Sequence, residues 1–154
     1  MDEENLFDIA QVWVWMLIEY YNDQWTIPTA TMKWNLFQGL VIFLNNYPRI
    51  LFENHQLLLS DICKLAGRIS RISWNDSKHY GDAVNIMIEN FFSGEEFEKS
   101  LVMIFFSELM AEMQKKESKV DIKSFRILNM TDIFIAAFQY FNWIRRSYID
   151  AREK

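Results

Sequence analysis

Few side chains of the kind that catalyse reactions or hold metals occur in this sequence, and their spacing limits what they could do. There are two histidines, His55 and His79, and a single cysteine, Cys63. Neither histidine has a second histidine or a cysteine at the short spacings that bind zinc, so no metal site is expected. Cys63 falls on the apolar face of a predicted helix, which favours a small buried hydrophobic residue over a reactive thiol.

One cluster of carboxylates, formed by Glu95, Glu96 and Glu98, could supply a pair for acid-base chemistry. The cluster follows Gly94 at the predicted start of a helix, where negative charge compensates the positive end of the helix dipole. The four glycines of the chain do not assemble into a phosphate-binding loop. We therefore expect neither an enzyme nor a cofactor.

The composition favours a single helical domain covering residues 1–154. Hydrophobic residues make up 51% of the chain, including 13 Phe, whereas there are only four Gly and two Pro. Such a composition is typical of long helices joined by short connections, so the predicted fold class is all-α. With 16 basic and 21 acidic residues the net charge is −5, which disfavours nucleic-acid binding.

Three features favour a cytoplasmic protein without a direct membrane span. One cysteine excludes an internal disulfide and suits a reducing compartment. The amino end, MDEENLFD, is acidic and lacks the basic region of a secretory signal. The longest apolar run, residues 101–110, has about half of the ~20 residues that a bilayer requires.

Apolar spacing and capping residues predict the helices. Thr29 or Thr31 can cap the second helix, Asn45, Asn46 and Pro48 end it, and Asp76 or Ser77 can cap the fourth. The predicted ranges are about 4–22, 29 or 31 to 46, 53 or 54 to 72, 77–94, 97–113 and, with an interruption near 129–131, 122–149.

The helix 97–113 has the widest apolar surface and is predicted to be the hydrophobic centre of a bundle. Leu101 and Phe105 are expected in the core. The residues that remain to face water are Lys99, Ser107, Glu108 and Glu112.

Two tryptophans of the first helix, Trp13 and Trp15, point to different sides of that helix. Both cannot easily be buried in a monomer, and an exposed tryptophan often marks a contact surface. A homodimer is therefore a further expectation. The simpler interpretation is that the aromatic stripe of Trp13, Tyr20 and Tyr21 packs in the core.

The segment MIENFFSGEEFEKSLVMIFF resembles the first homology motif of the Bcl-2 family, in which an acidic-glycine turn opens the central helix. Phe91 and Gly94 match the phenylalanine and the turn glycine of that motif, Phe97 stands for its tryptophan, and Lys99 for its arginine. The sequence departs from the motif where asparagine is replaced by Glu96 and glycine by Glu98.

Two further segments resemble the other motifs of this family. FQYFNWIRRSYIDA is similar to the second motif through Trp143 and Ile144, and Lys99 precedes Trp143 by 44 residues, close to the family's spacing. The third motif is approximated by Leu59, Cys63, Ala66 and Gly67, with the helix around Gly39 as a competing register.

The resemblance implies a Bcl-2-like bundle of about seven helices that inhibits apoptosis. Family members bind the amphipathic third-homology helix of pro-death proteins in a groove built by the second to fifth helices. Carried over by motif, the groove residues of this chain are Ile86, Glu89, Asn90, Lys99, Val102 and Phe106, with Lys99 facing the ligand's aspartate.

Short versions without a hydrophobic anchor are typical of large DNA viruses, so the resemblance implies a viral protein in the host cytoplasm. Recruitment to mitochondria would then occur through partners. The alternative is a Bcl-2-fold viral homodimer that blocks innate immune signalling and has no working groove, which Glu98 in place of glycine favours.

Overall fold

A computed structural model describes residues 3–23, 29–74, 79–92, 94–115, 142, 145–146 and 148–152. These parts of the chain contain α-helices and no strand, which confirms the predicted all-α class for the described residues. The helices are α1 (Glu3–Asp23), α2 (Ala30–Asn46), α3 (Pro48–Asn54), α4 (Gln56–Ser73), α5 (His79–Phe92) and α6 (Glu96–Met113).

Local signals account for most helix boundaries. The Thr29 hydroxyl accepts a hydrogen bond from the Met32 N–H at 3.1 Å, so the predicted cap of the second helix is confirmed. The short helix α3 was not predicted. Pro48 lies in its first turn, where the missing N–H costs nothing because it would have no helical partner. Pro48 therefore begins a helix as well as following one.

Within the described residues α4 holds the central place that the sequence predicts for 97–113. It packs against α1, α2, α3 and α6, whereas α6 packs mainly against α3, α4 and α5. Leu101 and Phe105 of α6 are buried, as predicted. The buried side chains of α4 cover most of its circumference and include Leu58, Leu59, Ile62, Cys63, Leu65, Ala66, Arg68 and Ile69.

Gly67 allows the backbones of α4 and α6 to approach closely. A Cβ atom at this position would lie 3.3 Å from the Leu109 Cα and 3.4 Å from the Glu108 carbonyl oxygen. At Gly39 the corresponding position has no described atom within 4 Å apart from the neighbouring residues and backbone of its own helix. Of the two glycines, Gly67 is therefore the one whose missing side chain a helix contact requires.

A buried ionic cluster joins α4 to the end of α6 and corrects the expectation that Glu112 faces water. The Glu112 side chain is 2% exposed. Arg68 donates to its Oε1 at 3.3 Å, Arg71 to its Oε2 at 3.1 Å, and Lys115 to its Oε1 at 2.7 Å. Three cations compensate the buried carboxylate, which is why a glutamate can lie between packed helices.

Polar and aromatic contacts attach α1 to the bundle. The Gln11 amide and the Trp15 indole each donate to Asp61 Oδ2 of α4, both at 2.9 Å. Phe7 stacks on His55, with 4.4 Å between ring centroids, and meets the Tyr47 ring edge-on. These contacts determine which side of α1 faces the bundle.

Some predictions fall outside the described residues. These are the caps at Asp76 and Ser77, the pair Trp143 and Ile144, and most of the final helical region. Tyr148 is described and exposed. In the described parts of the chain, none of the helices combines the length and the apolar character that crossing a membrane requires.

Candidate functional site

An elongated groove of about 340 Å³ lies between α2 and α5. Its volume falls at the lower end of the ~300–1,000 Å³ range of ligand pockets. Each helix contributes residues at three- and four-residue spacing, so one face of each forms a wall. The α2 wall consists of Trp34, Phe37, Gln38, Val41, Ile42 and Asn45, and the α5 wall of His79, Asp82, Ala83, Ile86, Met87 and Asn90.

An aromatic cluster joins the two walls near the beginnings of both helices. The Trp34 ring meets Tyr80 edge-on at 5.0 Å between centroids and stacks on Phe37 at 5.7 Å. Phe37 meets Tyr80 at 5.1 Å, and both of these rings are buried. Close ring packing of this kind restricts side-chain rotation, so this end of the groove is preformed.

The lining of the groove combines apolar and polar side chains. Val41, Ile42, Ile86 and Met87 supply aliphatic surface, and the amides of Gln38, Asn45 and Asn90 supply hydrogen-bonding groups. Among the described residues of the lining, Asp82 is the one acidic residue, and none is Lys or Arg. The aliphatic and aromatic side chains of these two walls are suited to binding an apolar surface.

The structure brings two of the six residues assigned by motif into this groove. Ile86 and Asn90 line it, and Glu89 is exposed on the same helix without being part of the lining. The three α6 residues do not line it. Val102 is completely buried in the core, while Lys99 and Phe106 are half-buried.

The resemblance implies that the second helix takes part in the groove, but it assigns no residue of α2 to it. Because α2 carries apolar residues around most of its circumference, periodicity alone does not distinguish its core face from its groove face. An available signal was the Trp34-to-Asn45 face, which combines large apolar residues with two amides at helical spacing. That combination is typical of a partly exposed binding wall.

The environment of the single cysteine does not suit a reactive thiol. Cys63 is buried as predicted, and burial raises the pKa of its thiol far above the ordinary value, which keeps it protonated. Among the described residues, no three His, Cys, Asp or Glu side chains are grouped so that they could hold a metal ion.

The carboxylates at the start of α6 contribute to local structure. The Glu98 carboxylate accepts a hydrogen bond from the Glu95 N–H at 3.4 Å. Glu95 also pairs with Arg49 of α3, whose guanidinium lies 4.6 Å from the centre of the Phe97 ring. This contact links the beginning of α6 to α3.

Comparisons with known proteins return no relative for this chain. No family model, curated protein or solved structure matches it. A functional assignment therefore depends on the residues and the groove described above.

Proposed function

We propose that this chain is a Bcl-2-like inhibitor of apoptosis that sequesters the amphipathic third-homology helix of host pro-death proteins in the α2–α5 groove. The observation that carries the proposal is the apolar groove itself, with Ile86 and Asn90 on its wall. Both residues belong to the set assigned by motif resemblance. The proposed activity is binding alone, without catalysis or a cofactor.

The length of the groove suits the spacing of helix anchors. Its α2 wall extends over eleven residue steps from Trp34 to Asn45, or about 16 Å at the ~1.5 Å rise of a helix. Ligand residues at i, i+3 and i+7 extend over about 10 Å, so three successive anchors fit along the wall. The volume is sufficient for anchoring side chains, while the backbone of the ligand helix would remain outside.

The polar residues of the lining support an amphipathic ligand over a purely apolar one. Gln38, Asn45 and Asn90 are exposed, and their amides would hydrogen-bond to the polar flanks of a bound helix. Groups of this kind orient a ligand, while the apolar residues of the lining supply most of the affinity.

The wider assignment rests on the same resemblance. We propose a protein of the viral Bcl-2-like type that acts in the host cytoplasm and reaches mitochondria through its partners. The all-helical architecture of the described residues supports the Bcl-2-like bundle at the level of fold class.

A calorimetric binding screen tests the proposal. The purified chain should bind at least one peptide from a panel of pro-death third-homology helices, with a Kd of about 1 μM or below. Ile86→Glu should weaken that binding, because it places a charge on the apolar wall. Leu57→Glu, at an exposed apolar residue of α4 outside the groove, is the matched control. Absence of binding to every peptide would reject the proposed function.

A further inference from the structure

The side of α1 that faces away from the bundle carries a continuous apolar stripe. Ile9, Trp13, Met16 and Tyr20 follow one another at spacings of four, three and four residues, which places them on one face of a helix. All four are exposed, Trp13 and Met16 each to 58%. Val12 lies beside them and is also exposed. We refer to these five residues as the outer stripe.

Packing against the described bundle accounts for the opposite side of α1. Phe7, Val14 and Tyr21 are buried in the core. Trp15 is 49% exposed, but its indole nitrogen donates to Asp61, so it lies towards α4. The prediction that Trp13 and Trp15 point to different sides is therefore confirmed. A surface helix normally has one apolar face, and α1 has two.

The charged side chains that α1 itself places next to the outer stripe are acidic. The described part of α1 contains no Lys or Arg. Asp8 and Glu19 are exposed and eleven residues apart, about three helical turns, so both lie along the same edge of the stripe. The exposed rings of Trp13 and Tyr20 present faces that attract Lys and Arg side chains.

This combination is complementary to a helix with an apolar face and basic flanks. Buried apolar area would supply affinity, and Asp8 and Glu19 would select cations. A second copy of α1 fits less well, because α1 contains no Lys or Arg that could meet Asp8 and Glu19. An anionic membrane surface would be repelled for the same reason.

We propose that the outer stripe of α1 is a docking surface for a basic amphipathic helix of a partner protein, separate from the α2–α5 groove. The outer stripe lies on one helix and the groove on two others, so the two surfaces can be altered independently.

Two designed peptides test the charge selection. Each has about 20 residues, enough to match the length of α1, and carries leucines at heptad spacing. One has Lys at the flanking positions and the other has Glu. The Lys-flanked peptide should bind the full chain at least about tenfold more tightly, and added salt should weaken it. Equal binding of both peptides, or no binding of the Lys-flanked one, would overturn the proposal.

Variants then locate the site. Trp13→Glu should weaken binding of the Lys-flanked peptide at least about tenfold. The change makes the chain more acidic, so a non-specific electrostatic attraction would strengthen binding instead. Asp8→Lys with Glu19→Lys should weaken it by a similar factor. Leu57→Glu and the groove variant Ile42→Glu are matched controls at exposed apolar residues and should leave it unchanged.

Two other occupants of the stripe are outcomes that would also overturn the proposal. One is a concentration-dependent dimer in analytical ultracentrifugation that Trp13→Glu converts to a monomer. The other is binding to vesicles of phosphatidylcholine and phosphatidylserine that Trp13→Glu abolishes. Circular dichroism of each variant checks that the helices remain folded.

Discussion

Arg68 of α4 lies 3.3 Å from Glu112 of α6, and both side chains are almost completely removed from solvent, at 6% and 2% exposure. Arg68 also donates to the Ile18 carbonyl oxygen of α1 at 3.0 Å. One buried guanidinium of α4 therefore contacts two other helices, α1 and α6. The attraction within a buried ion pair is largely offset by the cost of removing both charges from water. Removing one partner is nevertheless strongly destabilising, because it leaves the other charge buried without a counterion.

Glu112→Ala should accordingly reduce the free energy of unfolding by about 3–5 kcal/mol, because Arg68 would remain buried without its counterion. Urea denaturation measures the loss. Glu53→Ala, which removes an exposed partner of Arg49, is the control and should cost less than about 1 kcal/mol. If the double change Arg68→Met and Glu112→Leu is no more stable than Glu112→Ala, the buried unpaired charge is not the cause.

The same cluster should make stability depend on pH in the acid range. Burial alone would raise the pKa of Glu112, but hydrogen bonds from Lys115 and Arg71 and the charge of Arg68 hold it below its ordinary value. The unfolded state therefore binds this proton more tightly. The stability gained from Glu112 is complete above its unfolded pKa of about 4.3 and is lost as pH falls through the lower folded pKa.

Urea denaturation of wild type and Glu112→Gln between pH 7 and pH 3 isolates this contribution from those of other carboxylates. The stability difference between the two proteins should shrink towards acid pH. A difference that stays constant over that range would show that the ionised form of Glu112 is not preferred in the folded state.

Some of this structure was accessible from local sequence signals. The cap at Thr29, the end of α2 near Asn46 and the start of α6 after the acidic turn each depend on residues a few positions apart. Such signals act within one helix and can be identified in a single sequence. The boundaries of α1, α2 and α6 consequently agree with prediction to within about two residues.

The parts that were missed depend on contacts between distant residues. The sequence predicts that Glu112 faces water, because its partners Arg68 and Arg71 are 44 and 41 residues away in sequence and no local signal indicates them. The central place of α4 depends likewise on how four helices pack around it. Of the groove, the α5 residues Ile86 and Asn90 are assigned through a motif. The resemblance implies that the second helix takes part, but it assigns no residue of α2 to the groove, and identifying those residues required the packed structure.

Gly67 and Gly39 offer a matched test of helix packing. Gly67→Val should lower the free energy of unfolding by about 1–3 kcal/mol or more, because its side chain would meet the α6 backbone at Glu108 and Leu109. Gly39→Val introduces the same side chain where space is open, and should be neutral or slightly stabilising because valine favours a helix over glycine. Equal effects at both positions would contradict the close approach of α4 and α6.

Lys99→Glu tests whether a ligand in the groove continues towards α6. The α5 wall ends at Asn90, and α6 begins after a short connection at Glu96, so a ligand helix extending past Asn90 would approach the first turns of α6. If Lys99 meets an acidic residue of the ligand, as the motif resemblance implies, the change should weaken peptide binding by about 2 kcal/mol or more.

Calorimetry with one pro-death peptide compares wild type, Lys99→Glu and Ile86→Glu. Weakening by Ile86→Glu alone would place the ligand in the groove but away from Lys99. Unchanged affinity in both variants would mean that the peptide binds elsewhere.

The sequence separation of the contacts between α1 and α4 has a consequence for protein synthesis. Gln11 and Asp61 are 50 residues apart, as are Ile18 and Arg68. At about 5–20 residues per second, a ribosome makes α1 roughly 3–10 s before the α4 residues that hold it. Throughout that interval both apolar faces of α1 lack a folded partner. We therefore expect nascent chains that end before α4 to depend on chaperones more strongly than chains that extend beyond it.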